Sequence, residues 1–278
     1  MGKKLFRILP VVLVLVLCAC AYPPLPGINA PLPTEQTPTT EATTEPPTVA
    51  TTAPPATTIP ETEATLPAHS ALYLPEYTPQ QILEYFEEVV LHVEYPGEGG
   101  NPALVQKWTD PIYCRIQGEP TEEDLAVLND FFAQLNEVPG FPGIYAATEQ
   151  DPVNLTIGFW EQETFDAEFF DMLQGDYATG ATQFWYYTDT NDIYTARIGY
   201  RTDISQAERN SILIEEIVNT LGITDTVLRT DSIVYQYSDE NLALSDVDWI
   251  ILKLLYDPAI RCGMDFDSCS RIIPELYY

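Results

Sequence analysis

The sequence predicts an α+β domain with a mixed, largely antiparallel sheet and a central helix, preceded by a disordered Pro/Thr-rich tether. Three observations carry this reading. Apolar residues recur at helical spacing behind capping residues in several segments, and they alternate at strand spacing in others. Two of the strand-like runs come late and close together with turn residues between them, which is the mark of a hairpin in an α+β order. Large apolar residues all but vanish from a long stretch near the N-terminus, where no core can form.

Taken in order, Lys3, Lys4 and Arg7 precede an apolar run from Ile8 to Leu17. A basic start followed by such a run is the plan of a secretory signal peptide, assigned to residues 1–19. The run contains Pro10 and is shorter than the roughly 20 residues that cross a bilayer. It closes on Leu17-Cys18-Ala19-Cys20, an ending that resembles a bacterial lipobox. A small residue precedes the lipidated cysteine in that pattern, so Ala19 points to Cys20 as the anchor. The resemblance implies an exported chain held by its lipid on the outer face of the bacterial cytoplasmic membrane.

Residues 20–71 form the tether. From Tyr22 to His69 there is no Lys or Arg, and the stretch is dominated by Pro, Thr, Ala and Glu. Proline density makes it a semi-extended spacer reaching at most about 3 Å per residue. Residues 72–278 are then one domain, long enough for a substantial core. The chain carries 42 acidic against 12 basic residues, a net charge of −30. A surface of that sign repels nucleic acid and anionic lipid, so nucleic acid is not an expected partner.

Within the domain, Thr78-Pro79-Gln80-Gln81 opens a helix, with Ile82, Tyr85, Phe86, Val89 and Val90 as its apolar stripe. Ile112 to Ile116 reads as a strand. After Gly118-Glu119-Pro120, Thr121 to Glu137 reads as a helix with Leu125, Leu128, Phe132 and Leu135 inward. Val153, Leu155, Ile157 and Phe159 alternate with Asn154, Thr156 and Gly158, as in a half-buried strand. A short helix is expected near Glu168 to Leu173. The hairpin pairs Gln183–Thr188 with Ile193–Tyr200 across Asp189-Thr190-Asn191-Asp192, residues that accept left-handed backbone angles. Ser245-Asp246-Val247-Asp248 caps a last helix, ended by Pro258.

Three cysteines lie in the domain. Cys114 sits in an apolar strand and is expected as a buried thiol. Cys262 and Cys269 flank the short loop Gly263–Ser268, and a disulfide joins them if their Cβ atoms meet, as export permits. His92 is the domain's single histidine, and pairing with Cys114 as a nucleophilic couple has no supporting signature.

The central segment runs from Ser205 to Tyr235. Ser205 and Glu208 make a capping box, Ile214, Ile217, Val218 and Leu221 recur at helical spacing, and Gly222 stands where a helix stops in a left-handed turn. Glu215 and Asn219, four apart, share one side of the helix, and the turn can bring Asp225 back toward them. This segment resembles the zinc pattern H-E-x-x-H-x-x-G-x-x-H of metzincin peptidases, especially the matrixin type, at Glu215, Glu216, Asn219, Gly222 and Asp225. Ser232-Ile233-Val234-Tyr235, Leu244-Ser245-Asp246-Val247-Asp248 and Leu255-Tyr256 follow in the order of that family's turn and final helix. From Ile193 to Met264 the chain also resembles a family of bacterial lipoproteins bearing a domain of unknown function, in the acidic helix, the Ser-Ile turn, Leu254 to Pro258, and Gly263-Met264.

The resemblance implies a metzincin-like (zincin-like) fold, and the replaced histidines exclude a histidine-rich zinc site. Glu216 falls at the position of the general base. Glu215, Asn219 and Asp225 fall at the ligand positions, where their oxygens suit a hard divalent cation such as calcium rather than zinc. Three readings stay open. One is a degenerate peptidase domain that binds a peptide or protein along the hairpin edge without zinc catalysis. Another is a metal-dependent hydrolase using Glu216 as base. The third is a scaffold in which Glu215 and Glu216 are solvated or salt-bridged.

Overall fold

The computed structural model describes residues 69–91, 103–169, 178–237 and 240–278. The signal peptide, Cys20, nearly all of the tether and His92 lie outside the described residues. Among those described, no helix is long and apolar enough to cross a membrane.

The elements run α1 (Pro79–Val90), β1 (Lys107–Trp108), β2 (Ile112–Gly118), α2 (Glu122–Asn136), β3 (Ile144–Ala146), β4 (Leu155–Trp160), α3 (Gln162–Glu168), β5 (Gly180–Tyr186), β6 (Asp192–Arg201), α4 (Gln206–Thr220), α5 (Asp246–Tyr256) and α6 (Phe266–Tyr277). Four helices start where local chemistry demands it. Thr78, Thr121, Ser205 and Ser245 each accept from the amide three residues on, and the side chain at that position accepts from the cap's own amide. Two otherwise orphaned donors are satisfied at each start. Behind these caps the apolar stripes are buried as the spacing predicts, with Ile82, Phe86 and Val89 of α1 fully enclosed. In α2 the inward aromatic is Phe131, while Phe132 is only partly buried.

The sheet corrects the expectation of a largely antiparallel arrangement. Strands β3, β2, β4 and β6 lie side by side and all pair in parallel. The two-residue β1 runs parallel to the start of β6, and only β5 is antiparallel, on the other edge of β6. The physical reason is the crossover. A helix of fifteen residues, α2, separates β2 from β3, which lets the chain return in the same direction, whereas only the short β5–β6 turn forces reversal. The domain is thus a mixed α/β layer structure built on a parallel sheet. Strand β4 is central and buried on both sides over Ile157, Gly158 and Phe159, so the alternation read there understated its burial.

One sheet face carries Cys114, Leu155, Ile157, Phe159, Ala196, Ile198 and Tyr200 in register, all buried in the main core. Helices α2 and α4 pack together on that core, and α1 packs against α5 and α6. Each fully buried side chain of Leu, Ile or Phe size contributes about 1.5–3 kcal/mol by leaving water.

Two further corrections concern helices. The short helix expected near Glu168 lies earlier, at α3. A helix also follows α5, which is therefore not the last. Asp265 caps α6, and Cys269, Ile273 and Tyr277, each four residues on, turn inward. Pro274 inside this helix masks the pattern in the sequence. Cys269 is buried within α6, and Cys262 and Cys269 are free thiols rather than a disulfide. Cys114 is also free and buried, and burial pushes its thiol up to about 12.

Candidate functional site

The central helix α4 is buried all round: every residue from Ser211 to Thr220 is enclosed. Its C-terminal carbonyls, left without intrahelical donors, are taken by side chains from other elements. The Trp108 indole donates to the Thr220 carbonyl at 2.8 Å and the Tyr256 hydroxyl to the Leu221 carbonyl at 3.1 Å. Gly222 then turns the chain with φ +94°, and a Cβ there would stand 2.0 Å from the Gln106 carbonyl oxygen. Only glycine fits both the angle and the contact. This socket is what sends Asp225 back along the helix.

Asn219 and Asp225 are brought together as the spacing predicts, with the Asn219 amide nitrogen 3.4 Å from Asp225 Oδ1. Asn219 is 2 % exposed, and its Oδ1 accepts no hydrogen bond within the described structure. Glu215 and Glu216 are buried as well, at 7 % and 1 % exposure, so a solvated pair is ruled out. Among the described residues, no three His, Cys, Asp or Glu side chains gather as a group able to hold a metal ion. The buried Tyr200 hydroxyl donates to the Leu213 carbonyl at 2.7 Å. Burial, then the nearby charges of Glu216, Cys114, Glu215 and Asp124, drive its pKa well up.

Glu216 faces the edge strand. The Thr182 hydroxyl of β5 donates to the Glu216 carbonyl at 2.9 Å. A Cβ on Gly180 would lie 2.6 Å from Glu216 Oε1, so the bare Gly180 backbone is what admits this carboxylate. The Arg201 amide donates to the Thr179 carbonyl at 2.9 Å. In the alternation of an antiparallel ladder, the amides and carbonyls of Gly180, Thr182 and Phe184 therefore point to the outer edge of β5. No described strand pairs with that edge.

The Ser232–Tyr235 turn is held by a network the sequence did not announce. Asp248 accepts from the Ser232 hydroxyl at 2.8 Å, the Tyr85 hydroxyl at 2.9 Å and the Ile233 amide at 3.1 Å. The same residue completes the cap of α5. Its place in the capping box was the only signal available. Burial, then the Asp248 charge, push the Tyr85 phenol far up. Lys107 was likewise missed: it is buried and donates to the carbonyls of Leu255 at 2.7 Å and Ile260 at 2.5 Å, closing the end of α5.

Residues 79–275 match a family described as a protein of unknown function, DUF2927. No curated protein and no solved structure matches the chain.

Proposed function

We propose a role for a chain that belongs to the DUF2927 family: an exported lipoprotein, anchored through Cys20, whose domain binds an extended peptide by strand addition along the outer edge of β5. The observation that carries this reading is the edge itself. Three outward-facing peptide groups, at Gly180, Thr182 and Phe184, stand on the one antiparallel strand beside Glu216 and Asn219. An added strand gains main-chain hydrogen bonds there, and side-chain contacts on either face set its preference. The metzincin-like reading rests on this juxtaposition of edge strand, buried acidic helix, glycine stop and Ser-Ile turn, without the histidines that zinc catalysis requires.

A second reading, a hydrolase with Glu216 as base and a hard cation on Glu215, Asn219 and Asp225, is favoured by the buried Asn219 oxygen that lacks a donor. Such an ion activates water less well than zinc does.

An array of unstructured peptides probed with the purified chain tests both. Binders N-methylated at alternate residues are expected to lose binding in one register only and to be recovered intact by mass spectrometry. Equal binding in both registers would exclude strand addition, and cleaved peptides would favour the hydrolase. For the anchor, Cys20→Ala is expected to release the chain from the membrane fraction.

A further inference from the structure

A second concave surface lies away from the β5 edge, between α1, the loop around Arg229 and the first turn of α5. It encloses about 190 Å³, below the roughly 300–1,000 Å³ of pockets for drug-sized ligands. That is room for something the size of one amino acid. Its cation is Arg229, whose guanidinium lies 5.1 Å from the ring centres of both Tyr77 and Tyr85. Stacking on two rings holds the fork flat and fixes its direction.

Nη2 of Arg229 donates to the Tyr77 hydroxyl at 3.0 Å and to Asp231 at 2.6 Å. Nε is buried and meets no acceptor in the described structure. A buried donor in that state calls for a partner, and the planar guanidinium suits a carboxylate. Asp231 is more than half exposed, so it neutralises the guanidinium only in part.

The same groove holds charge of the opposite sign. Glu84 and Glu88 line it together with Arg229. Glu88 accepts from the Thr226 hydroxyl at 2.6 Å and the Val227 amide at 3.1 Å, both through Oε1, which fixes that carboxylate in place. Ile82, Val247 and the exposed Leu228 supply apolar wall. A cation, two carboxylates and an apolar wall within so small a space match a zwitterion with an apolar side chain.

We propose that this groove binds a free apolar amino acid, its α-carboxylate on Arg229, its α-ammonium toward Glu84 and Glu88, and its side chain against Ile82, Val247 and Leu228. This site is separate from the β5 edge and does not depend on peptide binding there.

Calorimetric titration of the purified chain with leucine, leucinamide and N-acetylleucine tests it. Leucine is expected to bind, and each blocked form to bind at least tenfold more weakly because one charged contact is lost. No binding of leucine, or equal binding of either blocked form, would overturn the proposal. Arg229→Gln removes the carboxylate contact directly but also the tyrosine stacking. Leu228→Asp therefore serves as the second variant: its site is 75 % exposed, so the fold is kept while a negative charge faces the ligand carboxylate. It is expected to weaken leucine binding at least tenfold, whereas Leu242→Asp, at another exposed apolar position, leaves it unchanged. Unchanged leucine affinity in Leu228→Asp would count against the site.

Discussion

The two halves of α4 bury charge in different ways. In the first half, Arg209 meets Asp124 of α2 at 2.8 Å with side-chain exposures of 4 % and 0 %. The Gln206 amide donates to the same carboxylate at 2.6 Å, and Arg209 also donates to the Gln206 oxygen at 2.7 Å. In the second half, Asn219 has one long contact to Asp225 and an oxygen without a donor, in a stretch that also buries Glu215 and Glu216. A closed network locks α2 onto α4, while an incomplete polar set costs stability where it stands. Sites that bind or react tolerate that cost, and purely structural ones seldom do.

The largest expected break of this contrast is Arg209→Met. Removing one partner strands Asp124 in the core, and a loss of about 3–5 kcal/mol is expected in urea unfolding. A loss below about 1 kcal/mol would show that the first half is not the structural clamp.

Acid offers a gentler probe. Burial alone would raise the Asp124 carboxyl, but hydrogen bonds from Arg209, the Thr121 amide, Gln206 and the Thr121 hydroxyl outweigh it and hold the pKa below the usual carboxylate range. A depressed folded pKa gives stability that is present above the unfolded value of about 3.9 and lost as pH falls through it toward the folded value. Unfolding free energy should therefore decline below about pH 4, and Asp124→Asn should flatten that part of the decline. An unchanged slope in the variant would assign acid sensitivity to other carboxylates.

The smallest stability effect is expected at Glu216→Gln. The amide keeps the shape against Gly180 and removes a buried charge, so unfolding free energy should move by less than about 1 kcal/mol in either direction. Peptide capture at the β5 edge should weaken at least tenfold in the same variant. A loss of stability comparable to that of Arg209→Met would make Glu216 a structural residue and erase the contrast between the halves.

Much of the frame was legible before the structure. The four capping boxes are local, each written within four residues, and all four start helices. Gly222 announced the end of α4, and the spacing of Asn219 and Asp225 announced their meeting. The hairpin was visible in its Asp-Thr-Asn-Asp turn, where Asn191 does take a positive φ of 63°. Helix α6 was not legible, since Pro274 and the flanking cysteines suggest a closed loop. Arg229 gave no signal either, because its tyrosine partners come from more than 140 positions away.

The sequence by itself determined where helices and strands begin, which faces turn inward, and that no histidine-rich zinc site can be built on α4, since these follow from local hydrogen bonding, periodicity and residue identity. Tertiary structure alone decided the direction of the strands, the burial of Glu215 and Glu216, and the gathering of Tyr77, Tyr85 and Arg229 in one groove. Those depend on how crossovers return the chain and which distant surfaces then meet, and strand spacing is the same in parallel and antiparallel sheets.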